Sequence, residues 1–595
     1  MMNKIEKLRS ELKKLSVNGF IVPVNDEFQS EFVPDHSKRL EWLTGFSGSA
    51  GMAIILEKKA VFFTDGRYVL QASKQLAINE YEIHNIADIT AEDWMEENIA
   101  NDYVIGIDPM LHSYNNFKHL ENAANKKGFS LKSIVNPLDK LWKDRPEDPE
   151  HIAFNLGINC TGQYAESKIE NIRNYIEDNK VDSVLITSTD SICWLLNIRG
   201  SDSSNSPLLL SYCLVHKNGN VDVFVNPNKI TDDLKAELAD SVSFHDIEQI
   251  NIILKQLKDS KVIIDGSTAP ISIINILESN SVEIINKQNP CALPKACKNN
   301  VELKGIREAH ITDGIALCRF LCWLETNIKN GTKITECDID TKLIEFRQQH
   351  KAFEYPSFDT IAGYRANGAI IHYRAKESDC ATLEANGLLL IDSGGQYIAG
   401  TTDVTRTIAL SCSKLNESIN EEKTNFTLVL KGHINLAMAK FPEKTTGHAL
   451  DILARKFLWE NGLDYDHGTG HGVGAFLNVH EGPQNISKRE NNIALQKGMI
   501  ISNEPGYYKD GEYGIRIENL VEVVESHTNI KGQKKFYEFD TITLAPIDLN
   551  LVINDMLDDK EKNWLNDYHK KIYKFISPYL EGEDLKWLEK ATISI

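Results

Sequence analysis

The sequence predicts a chain of mixed α/β and α+β class: two similar α/β domains, then a third in which helices cover a mainly antiparallel sheet. Three observations carry that expectation. The front of the chain repeats itself. The texture changes to long amphipathic helices near residue 299. Beyond that, Leu388 to Leu410 reads as two strand-forming runs around a Gly394-Gly395 break, with a carboxylate on each side.

The repeat comes first. Lys4-Ile5-Glu6-Lys7-Leu8-Arg9 recurs as Lys168-Ile169-Glu170-Asn171-Ile172-Arg173, Leu12 then matches Ile176, and Val17 matches Val181. Both segments read as amphipathic helices feeding strands, at Gly19 to Val22 and Ser183 to Ile186. Trp42-Leu43 with Phe46 and Gly48-Ser49 is echoed by Trp194-Leu195 with Ile198 and Gly200-Ser201. The expected domains are 1–150, 151–298 and 299–595, with a polar, Pro-containing linker at Lys143 to Pro149 and a helical extension at the C-terminus. Thr64-Asp65-Gly66-Arg67-Tyr68 reads locally as a turn with a surface arginine. In the third region helices are expected over Val301 to Ile328, Phe426 to Ala439 and Leu450 to Trp459, the last stopped by Asn461-Gly462. Trp564, Tyr568, Ile572 and Phe575 form a stripe expected to dock on the sheet.

Composition excludes some classes of function. A net charge of −20 argues against general nucleic-acid binding, since phosphates demand a basic surface. The ten cysteines include no CxxC pair and no zinc spacing, so reduced, scattered thiols are expected. No apolar signal region opens the chain and no run of about 18 apolar residues occurs, so neither export nor a membrane span is expected, and the cytoplasm is the expected compartment.

Four polar islands carry chemistry: the Asp392 and Asp403 hairpin, Asp466 to Gly474, Ser502 to Tyr508, and Gly514 to Asn519. Singly, each has an ordinary structural explanation. The run GTGHGVG lacks the Gly-Lys-Ser/Thr of a phosphate loop and the GxGxxG spacing. Two carboxylates about 4 Å apart repel by roughly 4 kcal/mol at an effective dielectric near 20, so the hairpin pair needs a shared proton or a cation. Together the islands ask for metal: oxygen-rich ligands with one imidazole suit Mn²⁺, Co²⁺ or Zn²⁺. Two divalent cations would balance Asp392, Asp403, Glu504 and Glu518, and such a site hydrolyses an amide, ester or phosphate.

The motifs LIDSGGQY…GTTDVTRT, HGTGHGVGAFLNVHEGP, EPGYY and GIRIEN, with GAIIHYRA and FTDGRYVLQA, resemble the pita-bread metallopeptidases. Within that family they resemble the long, three-domain cytosolic aminopeptidases P (Xaa-Pro aminopeptidases), over essentially the whole chain. The resemblance implies a pita-bread catalytic domain and five metal ligands: Asp392, Asp403, His471, Glu504 and Glu518. It implies that Asp403 and Glu518 bridge two Mn²⁺ ions (Zn or Co being possible), that His471 and Glu504 complete one metal, and that Asp392 completes the other. His372 and His480 then bind substrate and steady the oxyanion, His467 shapes the proline-side pocket, Arg516 anchors a metal carboxylate, and Arg67 binds substrate. The implied reaction is attack of a metal-bridging hydroxide on the first peptide bond of peptides with proline second, with Glu504 as general acid/base. A homodimer is implied, and no nucleic-acid or membrane partner. Three alternatives share the fold. A prolidase fits the duplicated front less well. A metal-free creatinase-like hydrolase conflicts with the ligand set. A non-enzymatic chaperone-like module would lack ligands and carry acidic tails.

Overall fold

The computed structural model describes residues 3–77, 79–410, 420–528 and 533–595. They divide into two compact units, Met1–Ile158 with Gln163–Ala292, and Asn159–Gly162 with Leu293–Ile595.

The first unit holds two six-stranded sheets of one topology. In spatial order the first runs Glu82–Asn85, Ala60–Thr64, Met52–Leu56, Gly19–Pro23, Val104–Ile107, Ser130–Ser133. The second runs Val242–Asp246, Val221–Val225, Tyr212–His216, Ser183–Ile186, Lys261–Ile264, Glu283–Asn286. Each strand that follows a repeated helix lies antiparallel to one neighbour and parallel to the other: Gly19–Pro23 in the first sheet, Ser183–Ile186 in the second. The repeated helices, Lys4–Lys14 and Ala165–Asn179, bury Ile5, Leu8 and Leu12 in one case and Ile169, Ile172 and Ile176 in the other. Apolar residues at helical spacing therefore dock the same way twice, and the sequence repeat is a repeat of fold.

The second unit is α+β, as the change of texture predicts. Helix Asn300–Lys329 opens on a capping box between Asn299 and Glu302, which satisfies its first orphan N–H groups. Helices Asn420–Ala437 and His448–Trp459 pack on each other and on a six-stranded sheet. That sheet runs Lys440–Pro442, Phe536–Thr541, Asn519–Glu525, Ile500–Asn503, Gly470–Gly472, Glu481–Ile486, every pairing antiparallel. A three-stranded antiparallel sheet joins Ile361–Tyr364, Leu388–Ser393 and Val404–Ala409. Helix Asp559–Ile576 seals one side, burying Leu565, Tyr568, Ile572 and Ile576 beside Leu430, Ile434 and Ile515. Phe575 departs from the expected stripe: Ile576 takes the position four after Ile572, which turns Phe575 outward to 39% exposure. Among the described residues no helix is long and apolar enough to cross a membrane.

Candidate metal centre

The two hairpin carboxylates are delivered by different local devices. Strand Leu388–Ser393 pairs antiparallel with Val404–Ala409, placing Asp392 opposite Thr405. Between them the chain leaves the sheet and forms a second, small one from Gly395–Tyr397, Gly400–Thr401 and Phe353–Pro356. The stretch is thus not the single continuous hairpin that the strand runs predict, and Asp403 sits at the corner where the chain re-enters the first sheet. Gly394 makes the crossing feasible: a Cβ there would lie 2.0 Å from the Thr402 carbonyl oxygen and 2.2 Å from the Ser357 hydroxyl.

Three further ligand candidates arrive on the six-stranded sheet. His471 lies in the strand Gly470–Gly472 and Glu504 directly follows Ile500–Asn503. Glu518 sits between Tyr513–Arg516 and Asn519–Glu525, its N–H donating to the Thr405 carbonyl at 3.1 Å. One ligand atom each of Asp392, Asp403 and Glu518 lies within 4.8 Å of the others. The same limit holds for His471, Glu504 and Glu518, and for Asp403, His471 and His480.

The partners of these groups are divided in an informative way. Asp392 Oδ2 accepts from Arg516 Nη2 at 2.6 Å, and Glu518 Oε2 accepts from the Thr405 hydroxyl at 2.8 Å. The opposite oxygens, Asp392 Oδ1 and Glu518 Oε1, are buried with no hydrogen-bond partner, and so is Asp403 Oδ1. Buried, unpaired carboxylate oxygens are costly unless a cation satisfies them. His471 Nδ1 lies 2.9 Å from the Gly472 carbonyl, which assigns its proton to that nitrogen. Its Nε2 then faces two carboxylates, Asp403 Oδ2 at 3.5 Å and Glu504 Oε1 at 3.4 Å. A lone pair aimed at two acceptors requires a proton or a metal between them.

The electrostatics agree. Burial lifts the Asp392 carboxyl to about 6; Arg516 pulls it down and Asp403 pushes it up. Burial, then the charges of Asp403, Glu504 and Asp392, hold Glu518 well above the usual carboxylate range. Burial alone would lower His471, but its bond to Asp403 and the charge of Glu504 lift it to about 9. Proton uptake is one answer to crowded negative charge, and two divalent cations are the other. Orphaned oxygens, one correctly oriented imidazole and no thiolate make a donor set that fits such a pair.

Several supporting residues complete the site. Arg516, fully buried, also donates to the Tyr508 hydroxyl at 2.6 Å, to Thr405 Oγ1 at 3.1 Å and to the Ile371 carbonyl at 3.5 Å. Arg516 ends its strand and Glu518 lies beyond it, so turn geometry rather than strand alternation brings the two together. Among the described residues Arg406, which is buried, pairs with no carboxylate. Its guanidinium donates to the carbonyls of Thr405, Glu518, Ala545 and Pro546, to Asn519 Oδ1, and to the Tyr568 hydroxyl at 2.8 Å. His433 spans the Asn503 carbonyl at 3.1 Å and Asn519 Nδ2 at 3.0 Å, and burial drops it to about 3. Arg406 stands inside the GTTDVTRT motif but drew no role from it, and nothing hinted at His433.

The remaining candidates are placed as follows. The His480 ring lies 4.2 Å from that of His471. His372 is half-buried, between Ile371 and Tyr373. His467 Nε2 is 2.8 Å from the Tyr508 hydroxyl and its Nδ1 is 4.0 Å from Glu504 Oε2. Arg67 lies in the first compact unit, its guanidinium paired to Asp65 at 2.7 Å.

Comparison with known proteins is consistent over the full length. Residues 304–525 match the metallopeptidase family M24, and 535–595 match the C-terminal region of peptidase M24. Residues 4–141 and 144–302 each match the creatinase/prolidase N-terminal domain. A probable Xaa-Pro aminopeptidase P of Laccaria bicolor is 40% identical, covering 99% of this chain and 92% of that protein. Aminopeptidase P2 of Arabidopsis thaliana is 38% identical, covering 99% of this chain and 87% of its own. The crystal structure of an X-prolyl aminopeptidase from Caenorhabditis elegans, described as a cytosolic enzyme with a di-nuclear active site, superposes with a TM-score of 0.94 at 35% identity. It covers 100% of this chain and 99% of its own.

Proposed function

The chain belongs to metallopeptidase family M24, in its long aminopeptidase P branch, and from that membership we propose how its own residues carry out the reaction. The activity is metal-dependent release of the N-terminal residue from peptides with proline second. One observation supports the residue assignment above the others: three buried carboxylate oxygens, on Asp392, Asp403 and Glu518, are without partners beside an imidazole nitrogen that faces two more acceptors. Asp392, Asp403, His471, Glu504 and Glu518 would together hold a pair of cations. Mn²⁺ is the proposed ion, the oxygen-rich set being hard and holding a single imidazole.

When bound, two such cations supply a water acidified towards neutrality and a polarised scissile carbonyl. The chain does the rest. Arg516 and Thr405 fix one oxygen each of Asp392 and Glu518, so the other oxygen of each points into the site. Glu504, steadied by the Ser502 hydroxyl at 3.1 Å, takes the proton of the attacking water and hands it to the departing proline nitrogen. That nitrogen belongs to a tertiary amide, which has no N–H to recognise, so the proline ring itself must be read. His467, against Tyr508, borders the surface that reads it. His372 and His480 donate to the carbonyl oxygen as its charge grows. Arg67 binds substrate. The proposed compartment is the cytosol, as described for the nematode relative, and the proposed assembly is a homodimer.

The test is turnover of Arg-Pro-Pro against Ala-Pro by metal-loaded protein. Release of arginine from the tripeptide at a rate above that of dipeptide cleavage is expected, with both lost in Asp403→Ala. Preferential cleavage of the dipeptide would overturn the assignment in favour of a prolidase.

A further inference from the structure

Outside the ligand cluster, the buried carboxylate of Glu336 accepts hydrogen bonds at both of its oxygens. It is the first residue of helix Glu336–Arg347, whose preceding Thr335 closes a capping box with Asp338, and it is fully buried. Its Oε1 accepts from the Tyr364 N–H at 2.7 Å and from Asn367 Nδ2 at 3.0 Å. Its Oε2 accepts from the Tyr373 hydroxyl at 2.9 Å and from the Ala381 N–H at 2.7 Å. Its own N–H donates to the Ala381 carbonyl at 3.0 Å. The helix N-terminus adds a favourable field for the negative charge.

All four donors lie in one excursion of the chain, from Tyr364 to Ala381, that leaves the three-stranded sheet after Ile361–Tyr364 and returns before Leu388–Ser393. His372 lies inside it. The excursion is mostly irregular backbone beyond the short turn Arg365–Ala369, so little regular structure holds it. On one side of His372, the Ile371 carbonyl accepts from Arg516, which also binds Asp392. On the other side, Tyr373 is tied to Glu336, and Asn367 Nδ2 closes the triangle at 3.1 Å from the Tyr373 hydroxyl.

We infer that Glu336 is a positioning residue for peptide hydrolysis, gathering the Tyr364–Ala381 excursion about one buried carboxylate so that His372 is held beside the Arg516–Asp392 pair. The inference rests on the reading of His372 as a substrate contact and adds the group that aims it. Glutamate is required by the bonding pattern. Asn367 Nδ2 reaches both oxygens, at 3.0 and 3.1 Å, but a glutamine amide would present its NH₂ either to the Tyr364 N–H or to the Tyr373 and Ala381 donors, leaving at least one backbone N–H without its acceptor. A displacement of about 1 Å in a group that meets the reacting carbonyl can cost roughly 100-fold in rate.

The test is a mutant cycle on metal-loaded enzyme with a Xaa-Pro-Pro tripeptide, in which Tyr373→Phe removes the bond to Glu336, and the Asn367 contact with it, without burying a new polar group. Tyr373→Phe should lower kcat about tenfold with KM and metal content little changed, and Glu336→Gln should lower it roughly 100-fold. In a His372→Ala background, itself slow, Tyr373→Phe should have no further effect on kcat, because a group that acts through His372 loses its lever when His372 is gone. A full tenfold loss persisting in that background, or no loss in Tyr373→Phe alone, would overturn the inference while leaving the role of His372 intact. Unchanged turnover in His372→Ala would overturn both. Should Glu336→Gln fail to fold, the Tyr373 and His372 arms decide the question without it.

Discussion

Replacing Thr405 by valine separates the metal centre from its support with little change in shape. Thr405 is fully buried, so no water can replace its hydroxyl. That hydroxyl donates to Glu518 Oε2 at 2.8 Å and accepts from Arg516 Nε at 3.1 Å. A hydrogen bond to a charged group contributes about 1.5–3 kcal/mol, and valine keeps the β-branch the strand favours. With its donor gone, Glu518 would retain a proton that a cation must displace, and its side chain would lose the bond that aims Oε1 into the site. At about 1.4 kcal/mol per factor of ten, metal affinity should weaken by roughly 10- to 100-fold. Calorimetric titration of Mn²⁺ into chelator-treated protein reads this directly. Thr405→Ser restores the hydroxyl and should bind within about threefold of wild type. Thr405→Val binding Mn²⁺ as tightly as wild type would refute an orienting role of this hydroxyl for Glu518.

Two more outcomes follow from the charges. Like-charged oxygens within 4.8 Å repel by roughly 3–4 kcal/mol per pair at an effective dielectric near 20. Stripping the cations should therefore lower the melting temperature of the catalytic unit by about 5–10 °C in a thermal scan, and an unchanged melt would count against a two-cation site. Acid stability should depend on His433, which burial lowers to about 3, and on His569, which burial lowers to about 4. As the pH falls below the ordinary histidine value, the unfolded chain takes protons that the folded chain refuses. The stability these groups give is complete above about pH 6.5 and drains at up to about 1.4 kcal/mol per pH unit for each. In chelated protein His433→Asn should melt with a visibly shallower pH dependence between about pH 6.5 and 4, and a slope identical to wild type would refute the assignment.

The fold was legible where periodicity and repetition spoke. The two front copies share helix spacing and strand order, because identical apolar spacing forces identical docking. Helix Asn300–Lys329 begins with its capping box and ends within a residue or two of its apolar stripe. The five candidate ligands were legible because each sits in a short polar island among apolar strands. What stayed hidden was contact at a distance. Arg406, His433, Thr405 and Glu336 look locally like ordinary strand, helix or cap residues, and their roles exist only once segments far apart in sequence meet. Asp403 shows the same limit on a smaller scale: the Gly394-Gly395 break reads as one hairpin turn, whereas the chain builds a second small sheet there before re-entering the first at Asp403.

Arg406 ties the chemistry to the far end of the chain. One guanidinium grips the strand that bears Thr405, the carbonyl of Glu518 and the hydroxyl of Tyr568 on helix Asp559–Ile576. The closing helix is therefore part of the foundation on which the cations rest rather than an ornament on the catalytic core. Shortening the polypeptide from its C-terminal side to obtain a smaller hydrolase would remove Tyr568, a partner of the guanidinium that holds the Glu518 backbone.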